Sequence, residues 1–271
     1  MKRCYFSIAT EKPPYINFMP IFDLLKNSFK KFHPNDDFIL FSDDDIKQTN
    51  DNMIFYRAAP YFARKLFDAG YTEVCKLDAD TIVLGNLDHI WEGDYDMAVV
   101  NNANPKEFKT YPVSVWDIDP LAYVNAGFVV MKSERFINHW LSLCYSPHFN
   151  NYQMKEQDLL NILVFYGDYK VKLLDASNKW HGLISKQYTP NAILIDTVYP
   201  PPRKVEAKIR GDLSITEGVK IVLPKNDEWP KDEDKQIVAY QFAGGHNAPD
   251  KGKYQLYFNE EVTKYIDRLV K

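Results

Sequence analysis

The chain is 271 residues long, with 33 basic against 37 acidic side chains and a net charge of −4; that is enough for one large α/β domain with a real core. The charge balance argues against broad nucleic-acid binding or adhesion to an anionic membrane. No apolar run reaches the roughly 18–20 residues that span a bilayer, and the opening Met1-Lys2-Arg3-Cys4 turns polar too soon for a signal peptide. Three cysteines, Cys4, Cys75 and Cys144, lie far apart with no CxxC spacing, so the expectation is a cytoplasmic protein without a disulfide scaffold or a structural zinc.

In chain order, Tyr5 to Ala9 reads as a buried strand ending at Thr10, before the turn-forming Lys12-Pro13-Pro14. Ile21 to Phe32 carries Phe22, Leu25, Phe29 and Phe32 on one face and predicts a helix. Phe38 to Phe41 is a second buried strand, closed by Ser42-Asp43-Asp44-Asp45. A helix follows at about 60–69, with Pro60 in its first turn and Gly70 as its stop. Val74 to Leu77 is a third strand, running into Asp78-Ala79-Asp80. Strands alternating with helices predict a mostly parallel sheet with right-handed crossovers. The same style continues: strands at 97–100 and 127–131, helices at 133–143 and 155–165. Residues 199–235, rich in proline and alternating charge, read as a surface excursion, and 259–271 as an amphipathic C-terminal helix capped by Asn259. No boundary divides the chain, so one domain covers 1–271.

The most informative stretch is Asp78-Ala79-Asp80, two carboxylates one residue apart where a buried strand ends. Open α/β sheets bind ligands at the carboxyl ends of their strands. Two neighbouring carboxylates repel one another, and a site that keeps both ionised calls for a cation. An all-oxygen pair suits Mg²⁺ or Mn²⁺, ions that also bridge phosphate oxygens. The alternative is that Asp80 only caps a turn and Asp78 is merely exposed.

Four segments together resemble glycosyltransferase family 8, the family of glycogenin and the bacterial lipooligosaccharide galactosyltransferases. They are Asp78-Ala79-Asp80-Thr81-Ile82-Val83 with Asn86-Leu87-Asp88; Tyr123-Val124-Asn125-Ala126-Gly127; Glu156-Gln157-Asp158-Leu159-Leu160-Asn161; and Gln241-Phe242-Ala243-Gly244-Gly245-His246. The resemblance runs over about residues 3–254. It implies a GT-A fold and a retaining hexosyltransferase, with a UDP-sugar as donor, Mn²⁺ or Mg²⁺ as cofactor and an unidentified glycan, protein or lipid-linked acceptor. It further implies that Asp78 and Asp80 hold the metal against the diphosphate, with Ala79 beside them. Ile8, Ala9 and Thr10 would cradle uracil and ribose, and Gly244 would join the donor contacts. Asn125, Gln157 and Asp158 would face the reacting sugar.

The sequence departs from the family pattern late in the chain. Gln241 stands where the family places a metal-binding histidine, so the third ligand is either His246 or Gln241. Asn247 replaces a diphosphate-binding lysine, for which Lys251 and Lys253 are the nearby substitutes. Glu156 replaces an aspartate, and the family's basic residue on the preceding helix corresponds to Arg64 or Lys65. Two other functions compete: a sugar-nucleotide-binding protein without turnover, and a phosphatase with a DxD nucleophile, a motif that normally lies on the first strand. A homodimer is left open.

Overall fold

The computed structural model of the protein describes residues 1–11, 18–51, 54–83, 85–101 and 123–174, and the backbone of strands at 179–185, 220–222 and 236–243. The elements begin β1 (Arg3–Ile8), α1 (Met19–Phe32), β2 (Phe38–Phe41), α2 (Asp43–Lys47), α3 (Ala58–Asp68), β3 (Glu73–Leu77), β4 (Thr81–Val83) and β5 (Met97–Asn101). They continue with β6 (Val124–Met131), α4 (Glu134–Cys144), α5 (Glu156–Tyr166), β7 (Lys170–Leu173), β8 (Lys179–Ser185), β9 (Lys220–Val222) and β10 (Gln236–Ala243). The segment Ser42–Asp45, expected only to close β2, instead starts the short α2, because Asp45 Oδ2 accepts from the Ser42 backbone N–H at 2.7 Å.

A seven-stranded sheet has the order β2-β1-β3-β6-β5-β7-β9. Every neighbouring pair is parallel except the two that β6 makes with β3 and β5. β6 therefore runs against all the others, and its first residues lie at the edge where β1, β3 and β5 end. β9 falls inside the stretch expected to be a surface excursion and forms one border of this sheet. A second sheet, β4-β10-β8, carries the chain beyond Asp80.

Both faces of the main sheet are covered, which is why its strands read as continuous apolar runs. On one face, Phe62, Leu66, Phe136, Trp140 and Leu160 from α3, α4 and α5 pack against Phe6, Val74 and Val99. On the other, Phe22, Leu25 and Phe29 of α1 pack with Tyr5, Cys75, Leu77, Trp91 and Val130. Helix ends follow local chemistry. Ser133 caps α4 by accepting from Phe136 N, and Gly70, at φ +90°, supplies the left-handed turn after α3.

All three cysteines are buried free thiols, and burial pushes Cys4 up to about 12 and raises Cys75 and Cys144 well above the ordinary thiol range, which leaves them unreactive. No helix among the described residues is long and apolar enough to cross a membrane.

Candidate active site

At one edge of the sheet, the end of β1, the turn after β3, the start of β6 and the first turn of α5 come together. The meeting depends on an irregularity in β6. Val99 pairs with Val129, but the next residue, Val100, pairs with Asn125, so Ala126, Gly127 and Phe128 have no partner on β5. This bulge leaves backbone groups that the strand ladder cannot satisfy, and each that is buried needs another partner.

The partners are the residues singled out in the sequence. Ala126 N donates to Gln157 Oε1 at 3.0 Å, and Gly127 N to Asn125 Oδ1 at 2.6 Å. The Gly127 carbonyl accepts from Asp78 N at 2.7 Å, and the Ala126 carbonyl from Lys76 Nζ at 2.8 Å. Thus the carboxylate turn, the Asn125 bulge and the Gln157 helix start form one hydrogen-bonded unit. Their burial agrees: Asp80, Asn125 and Gln157 are buried, while Asp78 keeps about a third of its side chain exposed.

Asp78 and Asp80 sit on a tight turn closed by Thr81 N donating to the Asp78 carbonyl at 3.0 Å. Lys76, the one buried lysine among the described residues, donates to Asp78 Oδ1 at 2.5 Å. The family resemblance did not flag Lys76, although a signal was present. A lysine inside a strand covered on both faces can reach a charged partner only by extending towards the strand end, and Asp78 lies two residues on.

The other expected residues divide. Ala9 and Thr10 are buried and Ile8 half-buried at the end of β1, with Ala9 N donating to Phe41 O and Thr10 O accepting from Phe18 N. Asp158 was expected to face the sugar, yet both its oxygens are taken internally. Oδ1 accepts from Tyr123 Oη at 2.6 Å and Oδ2 from Met154 N at 2.9 Å, so its geometry is that of an anchor for the α5 entry. Arg64 is not brought to this group, because it turns onto α4, pairing with Glu134, Asn138 and Asp68. Lys65 lies over the rings of Tyr61 and Phe62. Gln241 lies on β10 directly opposite Thr81 in an antiparallel pair, which brings the late motif's backbone beside the carboxylate turn. Gly244, His246, Asn247, Lys251, Lys253 and the expected helix at 259–271 lie outside the described residues.

Electrostatics single out the start of α5. Glu156 keeps partial exposure, yet protein crowds its carboxyl so that burial pushes it up to about 8, against the lowering effect of Lys76; Asp78 and Asp158 add to the rise. Burial also raises Asp158, opposed by its bonds from Tyr123 and Met154. The Tyr123 hydroxyl is pushed far up by burial and by Asp158, which keeps it a donor.

The donor set at Asp78 and Asp80 fits a hard divalent cation, since it is all oxygen and ends a buried strand. Orphaned polar atoms agree with a ligand at this edge. Ser7 Oγ and Thr81 Oγ1 are buried and make no hydrogen bond among the described residues, while the Gln157 amide faces the Tyr123 hydroxyl. A second acidic group, His33, Asp36 and Asp88, has ligand atoms within 4.8 Å of one another. Its histidine is spent, however: Nε2 accepts from Leu87 N at 2.9 Å and Nδ1 pairs with Asp36 at 2.6 Å.

No protein-family model matches the chain, and no curated protein matches it in sequence. Solved structures do. An apo structure of the bifunctional glycosyltransferase WbbM superposes with a TM-score of 0.53 at 14% identity, covering 96% of this chain and 52% of that one. The chain thus spans about half of WbbM. An active-site mutant of LgtC gives 0.51 at 13% identity, covering 96% and 95% of the two chains. Apo mouse xyloside xylosyltransferase 1 gives 0.52 at 7% identity, covering 92% and 100%. The fold is therefore the GT-A fold, and these neighbours are glycosyltransferases.

Proposed function

We propose that the chain is a metal-dependent, retaining glycosyltransferase that moves a hexose from a UDP-sugar to a glycan, protein or lipid-linked acceptor. The observation that carries the reading is the single hydrogen-bonded unit joining Asp78, the Asn125–Gly127 bulge and Gln157 at the carboxyl edge of a GT-A sheet. Asp78 and Asp80 would hold Mn²⁺ or Mg²⁺, which when bound supplies Lewis-acid stabilisation of the departing diphosphate. Gln241 or His246 would complete the metal site, and Gly244, Lys251 and Lys253 would add contacts to the diphosphate. Ala9 and Thr10 floor the nucleotide end. Asn125 and Gln157 each spend the amide oxygen on the bulge; Asn125 would offer its nitrogen to a sugar hydroxyl, and Gln157 would hold the bulge and the Tyr123 hydroxyl beside the sugar. Asp158 and Tyr123 hold the α5 entry in place. A cytoplasmic location fits three buried free thiols.

Calorimetric titration of UDP with Mn²⁺, repeated with EDTA, tests the donor site. Binding that needs the metal is the expected result, followed by UDP-sugar turnover. Absence of binding in both conditions would remove the reading. Metal-dependent UDP binding without transfer or hydrolysis would favour the non-catalytic alternative.

A further inference from the structure

Lys76 stands at the centre of this site and has no role in the reading above. It lies on β3, in the middle of the sheet, paired with Phe6 on one side and Val129 on the other. Its side chain is 8% exposed. Its ammonium makes two hydrogen bonds, to Asp78 Oδ1 and to the carbonyl of Ala126 in the β6 bulge. It also lowers the neighbouring Glu156 electrostatically. One fixed positive charge therefore joins the carboxylate turn to the bulge that carries Asn125.

This placement has two physical consequences. A buried ammonium needs an anionic partner, and the partner here is one of the two carboxylates assigned to a cation. A divalent cation at Asp78 and Asp80 must then share Asp78 with the ammonium and bear its repulsion at short range, where water screens little. A diphosphate reverses the balance, because its negative charge is attracted to the ammonium and the metal together.

We propose that Lys76 is a resident counter-ion and positioning residue of the Asp78–Asp80 site. It keeps Asp78 and the bulge in register before any cation arrives, and it holds down the affinity for a bare divalent cation so that tight metal binding requires the diphosphate. The inference rests on the donor-site reading for its second half only.

The test titrates Mn²⁺ into the full chain without nucleotide, following free Mn²⁺ by electron paramagnetic resonance, for the wild type, Lys76→Met and Lys76→Arg. Removing the charge is expected to tighten Mn²⁺ binding about tenfold, while Lys76→Arg stays within about twofold of the wild type because it keeps the charge. Thermal melting checks folding, and Lys76→Gln replaces Lys76→Met should the latter not fold. Equal or weaker Mn²⁺ binding by the uncharged variant, or no Mn²⁺ binding by any of the three, overturns the proposal. UDP titration of the wild type with Mn²⁺ separates the two readings. Failure to bind UDP removes the donor site and leaves the counter-ion standing, whereas unchanged Mn²⁺ affinity in Lys76→Met does the reverse.

Discussion

Asn161 takes the place of a missing strand for Val124: its Oδ1 accepts from Val124 N at 2.7 Å and its Nδ2 donates to Val124 O at 2.9 Å. The same nitrogen donates to Gln157 O at 2.8 Å, and the side chain is wholly buried. Replacement by alanine strands buried backbone groups, each costly to leave unmade. Asn161→Ala is expected to lose about 2–4 kcal/mol of stability, read as a lower midpoint in urea denaturation. A midpoint equal to the wild type would show that water replaces the amide.

The carboxylate pair has a sharper test. Asp78→Asn and Asp80→Asn each keep size and lose charge on a turn held by backbone bonds; Asp78→Asn also takes the anionic partner from buried Lys76 and should cost stability, so thermal melting accompanies both variants. Metal-dependent UDP affinity is expected to fall about a hundredfold or more in both. Unchanged affinity in both variants would remove the site assignment.

Glu156 gives a pH dependence whose sign is fixed. Its carboxyl rises from the ordinary 4.5 to about 8 on folding, so between those values the folded state binds more protons than the unfolded state. The Glu156 contribution to stability of the metal-free protein is then fully present below about pH 4.5 and is lost as pH rises towards 8. Glu156→Gln should flatten that decline and raise the melting temperature at pH 8 relative to the wild type. A wild-type melting temperature that climbs over this range, with other groups unchanged by the substitution, would contradict the raised carboxyl.

Lys155 enters α5 with φ +50° and ψ −122°, a conformation that suits glycine. Lys155→Gly is expected to be neutral to stabilising by up to about 1 kcal/mol in chemical denaturation, and Lys155→Val strongly destabilising. Equal losses in the two variants would mean that the lysine's contacts with Asn150 and Phe149 outweigh the backbone.

Arg64→Ala should leave UDP affinity where it was, since its guanidinium is occupied by Glu134, Asn138 and Asp68. A clear fall in affinity measured by calorimetry would return Arg64 to the donor site.

These cases show what the sequence could and could not disclose. The β3 strand and its carboxylates were legible because an apolar run must end where two acids begin. Asn125 and Gln157 were legible only through resemblance; the bulge that joins them depends on a pairing shift between Val99 and Val100 that periodicity does not encode. Arg64 and Lys65 are neighbours on one helix, and only packing against Glu134 on α4 decides which way the first turns. Asp158 carries the residue type of a catalytic acid, but its role depends on Tyr123, 35 residues earlier. Gln241 was placed in a late motif, and its position opposite Thr81 belongs to the tertiary fold.

The pairing of β10 with β4 also orders events in time. Thr81 and Gln241 stand about 160 positions apart in sequence, while the sheet that carries Asp78 is built largely from nearer segments. Closing so long a loop is slow, and its entropic cost must be met before the contact rewards it. During synthesis the carboxylate turn is therefore made well before the strand that flanks it. The flank of Thr81 is thus completed by a strand that is made late, at residues 236–243 of 271.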